Sequence, residues 1–331
     1  MTESIQASRL RGRDKSDALA CRNGAYTNLM RIHTRAACLT SIVLIGSSAG
    51  AQATSSTVTP SLFSPGIVST PDSGEAFGTL TPDGREFYFT RHHNFARHHI
   101  MVTRLVQGQW TRPELVPISG TYNDREPRLS PDGRRLYFSS NRPLTSGDTT
   151  RRRDLDLWFS DRQPNGQWSS PRHIQGVNGD ANDFSPVVTA SGTLYFVSAR
   201  AGAIGAGGDR PHNVWLAHPV DITNGVWAAP ENAGPAINAG FETNVFVTPD
   251  QSLMLVSRDD APDGLGGDDL YVSRRLNGSW QQMRHLPEPI NSKEYEYGPA
   301  ISADGQWLFF TSHRTGNGDI YRVSASALDR K

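Results

Sequence analysis

The sequence predicts an all-β protein, a five-bladed β-propeller with four-stranded blades whose ring is closed by an N-terminal strand. Three observations predict it. One pattern is written five times along the 331 residues: a carboxylate, a short apolar stretch, a tight turn, an aromatic strand, an Arg and a further strand. The period is about 50 to 60 residues, the spacing of propeller blades. The last copy lacks a fourth strand, and a segment upstream of the first copy resembles the missing piece.

Each blade opens with an innermost strand, beginning near Glu75, Asp124, Asp183, Glu242 and Glu296. It ends in a reverse turn: Pro82-Asp83-Gly84, Pro131-Asp132-Gly133, Ala190-Ser191-Gly192, Pro249-Asp250-Gln251 and Ala303-Asp304-Gly305. Asp and Gly tolerate the backbone angles that such turns need. The second strand follows at Phe87-Tyr88-Phe89, Leu136-Tyr137-Phe138, Leu194-Tyr195-Phe196, Met254-Leu255-Val256 and Leu308-Phe309-Phe310. These runs are apolar, mostly aromatic, and too short for helices. The third strand carries Ile100, Leu157, Val214, Leu270 and Ile320. Hairpin dipeptides Gln107-Gly108, Asn165-Gly166, Asn224-Gly225 and Asn277-Gly278 then lead to a fourth strand, expected at Trp110, Trp168, Trp227 and Trp280. For the fifth blade, residues 63–68 are expected beside Ile320 to supply the outer strand, leaving only short protected edges.

The Ser130-Pro131-Asp132-Gly133 turn, the run ending at Asn141-Arg142, the run Gly318-Asp319-Ile320-Tyr321 and Trp168-Ser169-Ser170-Pro171 resemble the TolB-type, WD-like propeller repeats of bacterial envelope proteins. The resemblance covers residues 61–325. It implies a propeller and an envelope setting, and no single activity, because that repeat serves scaffolds, peptidoglycan-associated factors and peptidase-fused domains alike. TolB itself has a separate N-terminal α/β domain and six blades, and neither is legible here.

Charge is balanced at 33 basic against 33 acidic residues, but residues 1–53 hold 7 of the basic and 3 of the acidic ones, leaving 26 against 30 beyond them. A mildly acidic body excludes nucleic acid as the expected partner. Met30-Arg31 through Arg35, the apolar stretch 36–45 and Ala51-Gln52-Ala53 read as a secretory signal peptide over 30–53, with 1–29 an extension outside the protein proper and 54–331 a single propeller domain. The expected setting is periplasmic or secreted, as a monomer without a membrane span. Both cysteines, Cys21 and Cys38, precede the cut, so the mature protein is expected to hold neither a disulfide nor a thiol nucleophile.

Short turns fall on one rim and long loops on the other, and long loops on a rigid scaffold are where binding resides. Five carboxylates, Glu75, Asp124, Asp183, Glu242 and Glu296, recur seven positions before each turn, with Glu126 close by. At the channel mouth they form the expected ligand site, for a cation or for polar hydroxyls. The competing reading has each one capping a turn or pairing with the Arg of its own blade. Arg91, Arg142, Arg200, Arg258 and Arg314 are expected as structural partners of Asp156, Asp269 and Asp319 at the start of strand three. Asp259, Asp260, Asp263 and Asp268 have the carboxylates of a Ca²⁺ loop without the EF-hand spacing, so Ca²⁺ is a candidate ion and no cofactor is required. His92, His93, His98 and His99 crowd one hairpin, and Arg151-Arg152-Arg153 forms a basic loop tip.

No nucleophile elbow, zinc-protease motif or phosphate loop is present. The expected function is a binding or scaffold module whose partner is an envelope protein or a glycan. The alternative is a carbohydrate-active enzyme using inner-strand carboxylates, since two carboxylates suffice for glycoside hydrolysis.

Overall fold

The computed structural model describes residues 59–93, 97–145, 147–148, 150, 152–205 and 211–329. The expected signal peptide, its cleavage site at Ala53, Cys21, Cys38, Asn94 and Arg151 lie outside the described residues. The described residues form five small antiparallel sheets in a ring, a five-bladed β-propeller.

The innermost strands are Gly74–Leu80, Asp124–Leu129, Asp183–Val188, Phe241–Val247 and Glu296–Ile301, and each neighbours the next around a closed circle. Outward from them run Glu86–His92, Arg135–Ser140, Leu194–Ser198, Leu253–Asp259 and Trp307–Ser312, then His98–Val106, Asp156–Asp161, Asn213–Ala217, Asp268–Leu276 and Asp319–Ser324. The turns between the first two strands behave as their residues dictate. Gly84, Gly133, Gly192 and Gly305 have φ between 70° and 84°. Gln251 takes φ 57° at the same place without glycine's freedom. In four of the turns a Ser or Thr hydroxyl binds the Asp side chain, as Thr81 does to Asp83 at 2.6 Å.

The outer strands correct the sequence reading. They are Glu114–Leu115, Arg172–His173, Glu231–Asn232 and Arg284–His285, four to five residues beyond the tryptophans expected to mark them. Trp110, Trp168 and Trp280 instead fold back on the end of the third strand, and Trp227 does so through a separate two-stranded hairpin, Pro219–Asp221 with Val226–Trp227. The hairpin dipeptide thus makes a short local ladder, and the chain then turns back to reach the middle of the blade.

The N-terminal segment closes the ring. Ser61–Leu62 pairs with Arg322 and Tyr321, and the Phe63 N–H donates to the Ile320 carbonyl at 2.8 Å. The pairing therefore begins two residues earlier than expected, and residues 64–68 form a turn in which the Val68 N–H donates to the Ser64 carbonyl. Phe63 is buried between blades, with ring centroids 4.5 Å from Phe87, 5.1 Å from Phe309 and 5.5 Å from Trp110.

The axis is filled by side chains. Arg128, on the innermost strand of blade two, is 3% exposed and donates to the Gly78 carbonyl of blade one at 3.0 Å and to the Pro299 carbonyl of blade five at 2.6 Å. Its guanidinium lies 5.6 Å from the centroid of the Phe246 ring of blade four. Every innermost strand bulges one to two residues after its opening carboxylate. At the bulge Phe77, Glu126, Ser185 and Gly298 take φ of 56° to 63°.

Candidate functional site

The five recurrent carboxylates are not an open ring of charge. Glu75, Asp124, Asp183, Glu242 and Glu296 are each 0% exposed. Each meets the Arg that ends the second strand of its own blade: Arg91, Arg142, Arg200, Arg258 and Arg314, at N···O distances of 2.5 to 3.1 Å. The same guanidinium donates to carbonyls of the incoming loop, such as Ile118, Val177, Ile237 and Ile290. In four blades the carboxylate also accepts backbone N–H bonds from that loop. The unit is a latch that ties each incoming loop to the blade it enters. Burial raises the carboxyls of Glu75, Asp183 and Glu242 against the opposing pull of these donors.

This overturns the expected pairing of the Arg with strand three. Asp156 instead meets Arg152 and His173, Asp269 accepts the Leu265 N–H and faces His285, and Asp319 accepts the Thr315 hydroxyl. The acidic loop of blade four is likewise divided. Asp263 accepts the Tyr271 hydroxyl at 2.6 Å and Asp268 accepts the Thr243 hydroxyl at 2.6 Å, while Asp259 and Asp260 make no shared site with them. Among the described residues no group of three or more His, Cys, Asp or Glu side chains is placed to hold a metal ion.

What the long-loop face does bring together lies one residue further along each innermost strand. There the alternation of the strand turns Ala76, Arg125, Phe184, Thr243 and Tyr297 away from the latches. Contacts run from blade to blade. The Arg125 guanidinium is 5.8 Å from the Phe184 ring, Phe184 is 5.3 Å from His212, and His212 is 4.3 Å from Phe241. On the other side Tyr297 lies 5.4 Å from Phe77 and 5.7 Å from His313, and His92 and His98 are 5.1 Å apart. Arg125, Phe241, Thr243, Tyr297, His98, His212 and His313 are half-buried.

The electrostatics of this mouth are unlike those of the latches. Burial, with help from Arg125 and the neighbouring imidazoles, lowers His98 to about 2, and burial with His313 and His93 lowers His92 to about 4. Burial, reinforced by Asp259, Asp269 and Asp260, lifts Asp268 to about 7. Tyr297 is raised by burial and by the charges of Asp268 and Glu126. Glu126 itself stays beneath, accepting the Ser139 hydroxyl at 2.7 Å and the Ser185 N–H at 2.6 Å. The mouth is therefore a set of neutral imidazoles and aromatic faces, with a cation at Arg125 and a carboxyl, Asp268, that holds its proton near neutrality.

Sequence reasoning placed His92, His98 and Glu126 in this region and missed Arg125, Phe184, Thr243, Asp268 in this role, Tyr297 and His313. The available signal was the contrast between neighbours. The latch position repeats in all five blades, whereas the next position is different in each. Also missed were Asn178, Asn238 and Asn291, whose side chains both accept from and donate to the third strand at Leu157, Val214 and Leu270. Their signal was an apolar-Asn pair recurring four to five residues before the latch carboxylate.

No known family model matches the chain. No curated protein matches it in sequence. Solved structures do. TolB from Acinetobacter baumannii is 15% identical over 76% of this chain, with a TM-score of 0.45, and this chain spans 54% of that one. The catalytic domain of Coprinopsis cinerea GH62 alpha-L-arabinofuranosidase is 10% identical, with 81% of this chain and 96% of that chain covered and a TM-score of 0.50. The BT0996 RGII complex is 8% identical, with 80% of this chain and 91% of its own length covered and a TM-score of 0.53. At 8% and 10% identity what the chain shares with the last two is the fold.

Proposed function

We propose that this chain is an exported β-propeller binding module of the cell envelope that takes a glycan across the mouth of its central channel. The observation that carries this reading is the contrast along each innermost strand. A repeated, charge-neutralised latch is followed by a position that differs in every blade and offers Arg125, Phe184, Thr243 and Tyr297 to one opening. Aromatic and imidazole faces suit the C–H faces of sugars, and Arg125, Asp268 and Tyr297 supply the few oriented polar groups that fix a ligand. The export signal read over residues 30–53 supports an envelope setting. The test is a glycan array with the parent protein and with Arg125→Ala and Tyr297→Phe. Binding that falls about tenfold or more in both variants is expected, in line with lost charge-assisted and neutral hydrogen bonds. Capture of an envelope protein with no glycan bound overturns the ligand class.

One observation favours a second reading, a carbohydrate-active enzyme. Asp268 and Glu126 both act on Tyr297 from unlike environments, one holding its proton near neutrality and the other tied by a hydroxyl and an N–H. Divergent carboxyls are what acid and base roles demand. Release of reducing ends from the array's best glycan, abolished by Asp268→Asn, establishes this reading. Binding without turnover removes it.

A further inference from the structure

Directly after the latch carboxylate the five blades carry Ala76, Arg125, Phe184, Thr243 and Tyr297, so Arg125 is the one charged residue at that position. The fold leaves it uncommitted. Arg128, three residues on, and the five latch arginines each donate to carbonyls or carboxylates. Arg125 donates no hydrogen bond among the described residues. Its Nε is sealed from solvent and lies 3.6 Å from Glu126 Oε1, too far for a hydrogen bond. The two terminal nitrogens are not sealed, and 29% of the side chain stays exposed.

Nothing on the neighbouring strands fills that fork. Glu126 is buried, and its Oε2 accepts the Ser139 hydroxyl and the Ser185 N–H, which hold the carboxylate beneath the mouth and away from the terminal nitrogens. The Phe184 ring, 5.8 Å from the guanidinium carbon, steadies the cation from the next blade. His98, whose proton affinity burial and Arg125 suppress, stays neutral, as does His92, so neither imidazole adds a competing cation. Tyr297 is close enough for the charge of Arg125 to act on it, and its hydroxyl is 3.4 Å from His313 Nε2. A planar pair of N–H donors without an acceptor, half-buried beside aromatic rings, is the arrangement that takes a carboxylate end-on.

We propose that Arg125 is the specificity-determining residue of the channel mouth and that the ligand is an acidic saccharide, a sugar whose ring carries a carboxylate. This inference rests on the channel-mouth reading and names its ligand class. The carboxylate meets the two terminal N–H groups of Arg125, and the hydroxyls of Tyr297 and Thr243 are left to the sugar's own. A neutral sugar dehydrates the fork without pairing it, which costs affinity. A phosphate monoester brings a second charge against Glu126. A sugar carboxylate has one charge and a flat pair of oxygens, which match the fork.

The test compares an acidic glycan with its methyl ester, which keeps the ring and every hydroxyl and removes the charge. On an array of uronate, sialate, sulfated and neutral glycans the parent is expected to favour the carboxylated ones. Calorimetry with the best of them is expected to show binding weakened about tenfold or more on esterification. In Arg125→Gln the acid is expected to fall to within about twofold of the ester, while the ester binds as it does to the parent. Arg125→Lys keeps a charge without the fork and is expected to retain a preference of about threefold. Neutral or sulfated glycans that bind as tightly as carboxylated ones overturn the inference and leave the channel-mouth reading standing, as does an acid-over-ester preference that survives in Arg125→Gln. A parent that binds no glycan overturns both.

Discussion

Arg128 donates from blade two to the Pro299 carbonyl of blade five at 2.6 Å, joining residues 171 positions apart across the axis of the ring. The bulge that precedes it on its own strand, and the matching one that turns out the Gly78 and Pro299 carbonyls, make the geometry possible. Burial lowers the Arg128 guanidinium to about 10, and Glu126 opposes that shift, so it stays charged at neutral pH. Replacing it by Met leaves the two inward carbonyls of Gly78 and Pro299 without this donor. Arg128→Met is expected to lose about 3 kcal/mol in urea unfolding, since two buried carbonyls lose charge-assisted hydrogen bonds. Arg128→Lys, with a single point of donation, is expected to recover only part of that.

The latches predict a different pattern. Asp183→Asn keeps the shape and removes the charge that holds Arg200, which is partly open to solvent. The expected loss is about 2 kcal/mol, less than for the fully enclosed Arg258–Glu242 pair. Because both belong to blade junctions, neither variant should change a thermal shift produced by Ca²⁺, Mn²⁺ or a sugar. A ligand-induced shift abolished in Asp183→Asn with Glu242→Gln returns the ligand to the carboxylate ring.

Much of this fold is written in local chemistry. The Pro-Asp-Gly turns, the aromatic second strands and the hairpin dipeptides each act over a few residues, and they placed five blades, with the closing strand two residues from its observed start. What local chemistry does not carry is the outer strand. Trp110 and its counterparts satisfy a hairpin beside them, and the residues that enter the blade, Glu114–Leu115 among them, have no pattern of their own. The site fared worse for a related reason. Repetition drew attention to Glu75 and its four equivalents, and repetition marks what every blade needs for its own stability. Arg125, Tyr297 and Asp268 meet only through the ring closure, so no spacing in the chain reveals them.

Closure predicts that one side chain secures the joint between the ends. Phe63 is 2% exposed among Phe87, Trp110 and Phe309. Phe63→Ala is expected to cost about 3–5 kcal/mol through lost burial and the cavity left behind. Removing residues 59–63 exposes the Asp319–Ser324 edge as well, and the truncated chain is expected to aggregate at concentrations where Phe63→Ala remains soluble. Light scattering at matched concentration checks this, and a truncated chain that melts with the parent refutes closure by this strand.

The mouth predicts two opposed pH dependences. His98 and His92 are depressed in the folded chain to about 2 and about 4, from an ordinary 6.5, so the unfolded chain binds more protons below pH 6.5. Their contribution is complete above that pH and is lost as pH falls toward 4. Asp268 acts in the reverse sense. Its folded value of about 7 lies above an ordinary 3.8, so the folded chain holds the extra proton between those values, and stability is lost as pH rises from about 4 to 7. Asp268→Asn keeps an amide beside the Thr243 hydroxyl and removes the ionisation, so it is expected to raise the melting temperature at pH 8 and leave it unchanged at pH 4. The gain is about 4 kcal/mol at most, the linkage value of a carboxyl so displaced. His98→Gln is expected to flatten the acid limb below pH 6.5 and do nothing at pH 8. Melting curves of the parent and both variants from pH 4 to 8 decide it, because a purely structural Asp268 gives Asp268→Asn the same deficit at every pH.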